Sequence, residues 1–258
     1  MKILLTNDDG IYADGIYKLA NFLINQGHKI TLVAPDRERS AAGHSITIQD
    51  PLRVEVIDLS IKGLLSYKVS GTPADCVKLG LERLVKYVPD FIISGINDGP
   101  NLGYDVLYSG TVSAAIEAWM MGYNSLAVSL VRTGRKNCNY AVHYIEKLLY
   151  TLNKMDNKEP LLLNINIPPL SSGKMKGVKL TKLGTSLYED IFEERIDPMG
   201  RKYYWLTDGG GREEKDINSD IWAVNNNYIS ITPLKLKLTN MRLFHKLKGF
   251  IHDDSKKK

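Results

Sequence analysis

The chain has little cysteine, no long apolar run and no surplus of one charge outside its tail. Only two cysteines, Cys76 and Cys138, occur in 258 residues. Both fall in segments that read as helical and neither has metal-type spacing, so free or buried thiols are expected rather than a structural disulfide. No stretch approaches the roughly 20 apolar residues that a membrane-spanning helix needs. An apolar strand begins at Lys2, which leaves no room for a signal peptide, and a cytoplasmic protein without a membrane partner is expected. The five histidines, His28, His44, His143, His245 and His252, show no ligand spacing. No Gly-x-Gly-x-x-Gly follows the first strand and no Gly-Lys-Ser/Thr closes a Walker loop, which argues against dinucleotide and P-loop folds. There is no internal repeat and no low-complexity segment beyond the terminal lysines.

The net charge of +5 suggests nucleic acid only until it is located. Between Lys235 and Lys258 stand eight Lys/Arg against two Asp/Glu, which is +6 and leaves −1 for residues 1–234. The surplus belongs to a tail ending Lys256-Lys257-Lys258, and such tails are mostly solvated. Nucleic acid is not expected as a partner. A hydrophobic fraction of 43% with 24% charged residues is that of a soluble globular chain, long enough for one α/β domain with an appendage.

What is present is alternation of strand and helix. Lys2–Asn7 reads as a buried strand, because Ile3, Leu4 and Leu5 form an apolar run without alternation. Gly15–Gln26 reads as a helix, with Ile16, Leu19, Ala20 and Leu23 at helical spacing and Gly27 as its stop. Lys29–Ala34, Ile46–Ile48, Leu52–Leu59 and Leu64–Ser70 read as strands. A helix from Pro73 to about Lys86 is capped by Thr72. Then follow strand Phe91–Ile96, helix Thr111–Met121, strand Ser125–Val131, helix Cys138–Leu152 and strand Leu161–Ile167. After Pro168 the pattern changes. Leu187–Phe192 and Lys202–Leu206 flank the turn Asp197-Pro198-Met199-Gly200 as a hairpin. Tyr228–Thr232 is a short strand and Leu238–Phe250 a basic amphipathic helix. The expected fold is α/β, a doubly wound, mostly parallel, Rossmann-like sheet with a C-terminal β-hairpin arm and a terminal basic helix. Residues 1–185 are the core, and residues 186–258 the arm, return strands and oligomerisation segment of the same domain.

Three loops follow three apolar strands and carry hard oxygen ligands. The first holds Asn7, Asp8 and Asp9. The second holds Ser40, with Arg37, Arg39, Gly43 and His44. The third runs Asn97-Asp98-Gly99-Pro100-Asn101-Leu102-Gly103. In a parallel sheet such loops share one edge. Two adjacent carboxylates repel unless a cation lies between them, and an all-oxygen set suits Mg²⁺ or Mn²⁺. One of Asp8 and Asp9 is also readable as a helix cap, Ser40 as an ordinary loop serine and Asn97 as a turn former. Ser109-Gly110-Thr111 opens the next helix, where unpaired N–H groups and a positive dipole suit phosphate. Ser70-Gly71-Thr72-Pro73 has the same shape, so one of the two is readable as a plain cap.

Taken together, several ordered strings resemble the SurE family of stationary-phase-survival 5′/3′-nucleotidases. They are Ile3–Gly10, Ala34–Arg37 through Ser40–Ser45, Ser70–Val77, Pro89-Asp90 with Ser94–Asn97, Gly99–Gly103 and Tyr108–Val112. Asp220–Val224 and Tyr228–Leu234 also look like the family's C-terminal pattern, while the basic stretch after residue 240 matches nothing in it. The resemblance implies a metal-dependent phosphatase acting on nucleoside 5′- and 3′-monophosphates, and in some members on short polyphosphate. It implies one divalent ion per subunit on Asp8, Asp9, Ser40 and Asn97; in metal-assisted hydrolysis there, Asp8 or Asp9 is expected to orient or deprotonate the attacking water. It places phosphate on Asn101, Ser109, Gly110 and Thr111. It also implies a homodimer or homotetramer in which the hairpin and C-terminal segment pack on a partner. Other readings are an aspartyl-phosphate enzyme, for which the adjacent acids are wrongly spaced, a receiver domain, for which the chain is too long, and a nucleotide-binding regulator without turnover.

Overall fold

Ile3, Leu4 and Leu5 are fully buried, as an apolar run without alternation requires when helices cover both faces of a strand. The computed structural model describes residues 1–131, 139–168, 175–185, 188–211, 214–248 and 250–251. Among them the strands are β1 (Lys2–Thr6), β2 (Lys29–Pro35), β3 (Val54–Val56), β4 (Leu65–Val69), β5 (Phe91–Asp98), β6 (Ser125–Leu130), β7 (Leu162–Ile167), β8 (Gly177–Leu180), β9 (Tyr188–Ile196), β10 (Lys202–Gly211) and β11 (Tyr228–Pro233). The helices are α1 (Asp14–Asn25), α2 (Pro73–Leu79), α3 (Gly110–Met120), α4 (Asn139–Leu152), α5 (Asp220–Asn225) and α6 (Met241–Lys248).

The main sheet has the order β3-β4-β2-β1-β5-β6-β7-β11-β8. β4, β2, β1, β5, β6 and β7 are parallel, while β3 and β11 pair antiparallel with their inner neighbours. The chain winds outward from β1 through β2 to β4, then returns on the other side of β1 as β5. That reversal opens a crevice beyond the carboxyl ends of β1 and β5, where ligands bind in such sheets. Ile3 and Leu5 pack with Ile16, Leu19 and Leu23 of α1 and with Ile145 and Leu149 of α4 on one face. Leu4, Val33 and Ile92 pack with Val77 of α2 and with Ala114 and Ala118 of α3 on the other. The predicted doubly wound sheet is present, and its helix α1 uses the predicted face.

Several boundaries differ from the sequence reading. Ile46–Ile48 is not a strand: Thr47 N–H and Oγ1 bond the Asp75 carboxylate (3.1 and 2.6 Å), which lays the segment on the start of α2. Of Leu52–Leu59 only Val54–Val56 pairs, at the sheet edge. Thr72 does cap α2, reciprocally with Asp75, a device worth about 1 kcal/mol. The α-helix ends at Leu79 and continues as one wider turn, Gly80–Leu84. β8 and α5 were not foreseen; both are too short to show a period. β5 runs on to Asp98, and its register against β6 shifts between Ser94 and Asn97. Gly95 makes that irregularity feasible: its φ is +132°, and a Cβ there would lie 2.3 Å from the Val128 carbonyl oxygen.

Cys76 is free and buried, and burial pushes its thiol well above its ordinary range; Cys138 and the terminal lysines lie outside the described residues. No helix among the described residues is long and apolar enough to cross a membrane.

Candidate active site

The three loops converge. Asp8, Asp9, Ser40, Asn97, Asn101 and Ser109 line one cleft of about 450 Å³ at the crevice beside β1 and β5. The walls are tied together by main chain. Arg39 N–H donates to the Asp8 carbonyl (2.7 Å), and Gly43 N–H donates to the Tyr108 carbonyl (3.0 Å). The loop after β2 is thus held over the end of β1 and against the turn that precedes α3.

Asp8 is 4% exposed and accepts a hydrogen bond from the Thr111 hydroxyl. Burial pushes its carboxyl up, and the Thr111 bond opposes that shift. Burial, followed by the neighbouring Asp8 charge, pushes Asp9 to about 6. Ser40 is exposed and its hydroxyl donates to Glu38 Oε1 (2.7 Å), which leaves its oxygen lone pairs as acceptors. Asn97 Nδ2 donates to the Gly99 carbonyl (2.8 Å), which leaves Oδ1 as its acceptor.

Two of the predicted phosphate contacts have a different geometry from the one expected. At Gly110 the direction a side chain would take is filled by Asp8 rather than open to the cleft. A Cβ there would lie 2.8 Å from Asp8 Cβ and 3.0 Å from Asp8 Oδ2, so the residue is small because the helix start packs on Asp8. The Thr111 hydroxyl is fully buried and directed to Asp8, so its hydrogen is not offered to the cleft. Ser109 keeps the expected form: its Oγ accepts from Val112 N–H (3.1 Å), caps α3 and retains a hydroxyl hydrogen to donate. Ser70-Gly71-Thr72-Pro73, the second turn of this shape, is a plain cap on α2 and does not line the cleft. His44, the histidine of the β2 loop, bonds Glu117 of α3 (2.9 Å) and does not line it either.

The sequence reading missed part of the lining. Glu38, Asp98 and Asp105 join Asp8 and Asp9 around the cleft. Five carboxylates around one opening repel a phosphate monoester unless a cation intervenes. Among the described residues no group of three or more His, Cys, Asp or Glu side chains is arranged as a metal site. The expected set is of another kind, two carboxylates completed by a hydroxyl and an amide oxygen, and those four oxygen donors do fit a hard divalent ion. Also missed were Asn164 and Asn166, both fully buried. Their signal was available: in the otherwise apolar run Leu162-Leu163-Asn164-Ile165-Asn166-Ile167 the two amides recur at the strand period.

Comparison with known proteins agrees with this architecture. The family model described as survival protein SurE matches residues 3–190. The 5′-nucleotidase SurE of Alkaliphilus metalliredigens is 46% identical over 250 residues, covering 96% of this chain and 98% of that one. That of Natranaerobius thermophilus is 45% identical over 261 residues, covering 98% and 100%. The crystal structure of the SurE protein from Aquifex aeolicus superposes with a TM-score of 0.80 at 36% identity, covering 97% of this chain and 99% of that one. With nearly the whole length matched in both sequence and fold, the chain belongs to the SurE family.

Proposed function

We propose that this protein is a 5′-nucleotidase, a divalent-metal-dependent phosphatase that hydrolyses nucleoside 5′- and 3′-monophosphates to nucleoside and phosphate. Relatives named as 5′-nucleotidases at near-full coverage support the reaction class. The observation that carries the reading is the juxtaposition of the acidic end of β1 with the first turn of α3, joined by the Thr111–Asp8 bond.

Asp8, Asp9, Ser40 and Asn97 would hold Mg²⁺ or Mn²⁺. Such an ion supplies Lewis-acid charge that offsets the phosphoryl oxygens and makes water a better nucleophile. The protein's own groups do the rest. The Ser109 hydroxyl, at the positive end of α3, would face charge that develops on the phosphoryl oxygens. Asn101, which lines the same cleft, would turn its side-chain amide to the phosphoryl group. Asp9 would orient the attacking water; its carboxyl stands at about 6 only without the ion, whose charge would hold it ionised. Thr111 and Gly110 act one step back, by holding Asp8.

The direct test is phosphate release from a panel of nucleoside 5′- and 3′-monophosphates, with ribose 5-phosphate and short polyphosphate alongside. Turnover of the nucleotides is the expected result. Nucleotide binding with no phosphate release would instead favour a regulator.

We further propose that the subunit works as a homodimer or homotetramer. β9 and β10 form a separate two-stranded sheet, and isolated hairpins are marginal in water. Phe192 (67% exposed), Tyr203 (39%), Tyr204 (56%) and Trp205 (58%) give it an apolar surface that a second copy would cover. Deleting Tyr188–Leu206 is expected to yield monomers or aggregate by light scattering; an unchanged oligomer mass would remove the idea.

A further inference from the structure

We propose that Ser129, Asn164, Asn166 and Asp220 are positioning residues, forming a polar clamp that fixes the Asn101 loop at the cleft. The inference rests on the reading above that Asn101 contacts the phosphoryl group.

Asn97, Ser129 and Asn166 stand at one level across the adjacent parallel strands β5, β6 and β7. The loop after β5 folds back over this row. Asn101 N–H donates to Asn166 Oδ1 (2.8 Å), and the Asn101 carbonyl accepts from Asn166 Nδ2 (2.9 Å) and Asn164 Nδ2 (2.8 Å). A single amide side chain thus pairs with both main-chain groups of Asn101, as a neighbouring strand would. Two residues further on, Gly103 N–H donates to Asp220 Oδ2 (2.9 Å), while Asp220 Oδ1 accepts from Gly184 N–H (2.7 Å) and Ile221 N–H (2.8 Å). The Asn101 side chain itself meets Ser129 Oγ (2.7 Å). Ser129, Asn164, Asn166 and Asp220 are fully buried and Asn101 is 7% exposed, so water cannot replace any of these partners.

The chemistry at the two ends is complementary. Asn166 must be an amide, because it donates and accepts at once. Asp220 must be a carboxylate, because its three partners are all N–H donors. Ser129 can accept from the Asn101 amide or donate to it. Its hydroxyl therefore lets the amide turn, with Oδ1 on Ser129 and Nδ2 toward an anion in the cleft.

The test uses isosteric exchanges in the full chain. Asn166→Asp and Asp220→Asn should each lower kcat/KM for a nucleoside monophosphate by about 10–100-fold, the range seen when an orienting partner is lost. Inhibition by inorganic phosphate should weaken in parallel. Mn²⁺ affinity by calorimetry should stay within about threefold, since Asp8, Asp9, Ser40 and Asn97 are untouched. Ser129→Ala, which removes one bond and little volume, should show a smaller loss of the same kind and serves if the buried exchanges fail to fold. Combining Asn166→Asp, or Ser129→Ala, with Asn101→Ala should add nothing to the loss caused by Asn101→Ala alone. Additive losses, or folded single variants with unchanged phosphate inhibition, would overturn the clamp. Wild-type turnover in Asn101→Ala would overturn the reading on which the clamp rests.

Discussion

Asp8→Asn and Asp9→Asn should each lower nucleotide hydrolysis by at least ~100–1000-fold, the scale on which removing one charge-stabilising group from a catalytic site acts. Neither should unfold the protein. Both carboxyls are pushed above their ordinary value by burial. A raised carboxyl pKa marks stability that is complete below the unfolded value near 3.8 and is lost as pH rises through the folded value, about 6 for Asp9. At pH 7, above the folded value of about 6, the metal-free wild type therefore bears the cost of the Asp9 charge beside buried Asp8. The neutral isostere at Asp9 relieves part of it. Discounted for solvent screening, the relief is on the order of 1 kcal/mol, or roughly 2–4 °C in Tm. The gap should close by about pH 4, where the unfolded carboxyl is itself half protonated. Thermal melts of the EDTA-treated proteins at pH 4 and pH 7 check this. Full activity in either variant at subsaturating metal, or a defect confined to unfolding, would contradict it.

Gly110→Ala should have an effect of similar size by another route. The sequence alone suggests that bulk at this position blocks the phosphate and leaves metal affinity normal. The structure moves the collision to Asp8, because the new Cβ would lie 2.8 Å from Asp8 Cβ. That contact is with the root of the side chain, which cannot swing aside, so α3 or Asp8 must shift. Hydrolysis is expected to fall at least ~100-fold, and Mn²⁺ affinity to fall with it. Overpacking should also cost about 1–3 kcal/mol of stability. Thr111→Val, which removes the hydroxyl from Asp8, should give a milder loss of both activity and metal affinity. Steady-state kinetics with calorimetry separates the cases: lost turnover with normal Mn²⁺ binding restores the phosphate-blocking account, and normal turnover reduces Gly110 to a helix cap.

The parallel core was legible because its signals are local and redundant. Ile3-Leu4-Leu5 has no alternation, α1 has a clear apolar face, and Thr72-Pro73 announces a helix start. The convergence of Asp8, Asp9, Ser40 and Asn97 was also legible, since loops at the carboxyl ends of parallel strands share an edge. What the sequence did not reveal depends on distance in space. Gly110 reads as an open turn until the side chain across from it is known to be Asp8. His44 shares a loop with Ser40, but its ring meets Glu117 2.9 Å away rather than the cleft. Asp220 sits 117 positions from the Gly103 N–H that it accepts from, and no local pattern links them. Ile46–Ile48 has the residue types of a strand, but the Asp75 carboxylate captures its backbone first.

Metal removal tests the central claim most directly. Phosphate release from a nucleoside monophosphate is followed in EDTA-treated protein, then again as Mn²⁺ is added back, for the wild type and for Asp9→Asn side by side. The expected result is no turnover after EDTA, saturable recovery in the wild type, and recovery in Asp9→Asn only at much higher Mn²⁺ and to a small fraction of the rate. Undiminished hydrolysis in EDTA, or identical recovery curves for the two proteins, would show that the acidic end of β1 is not where the reaction is carried out.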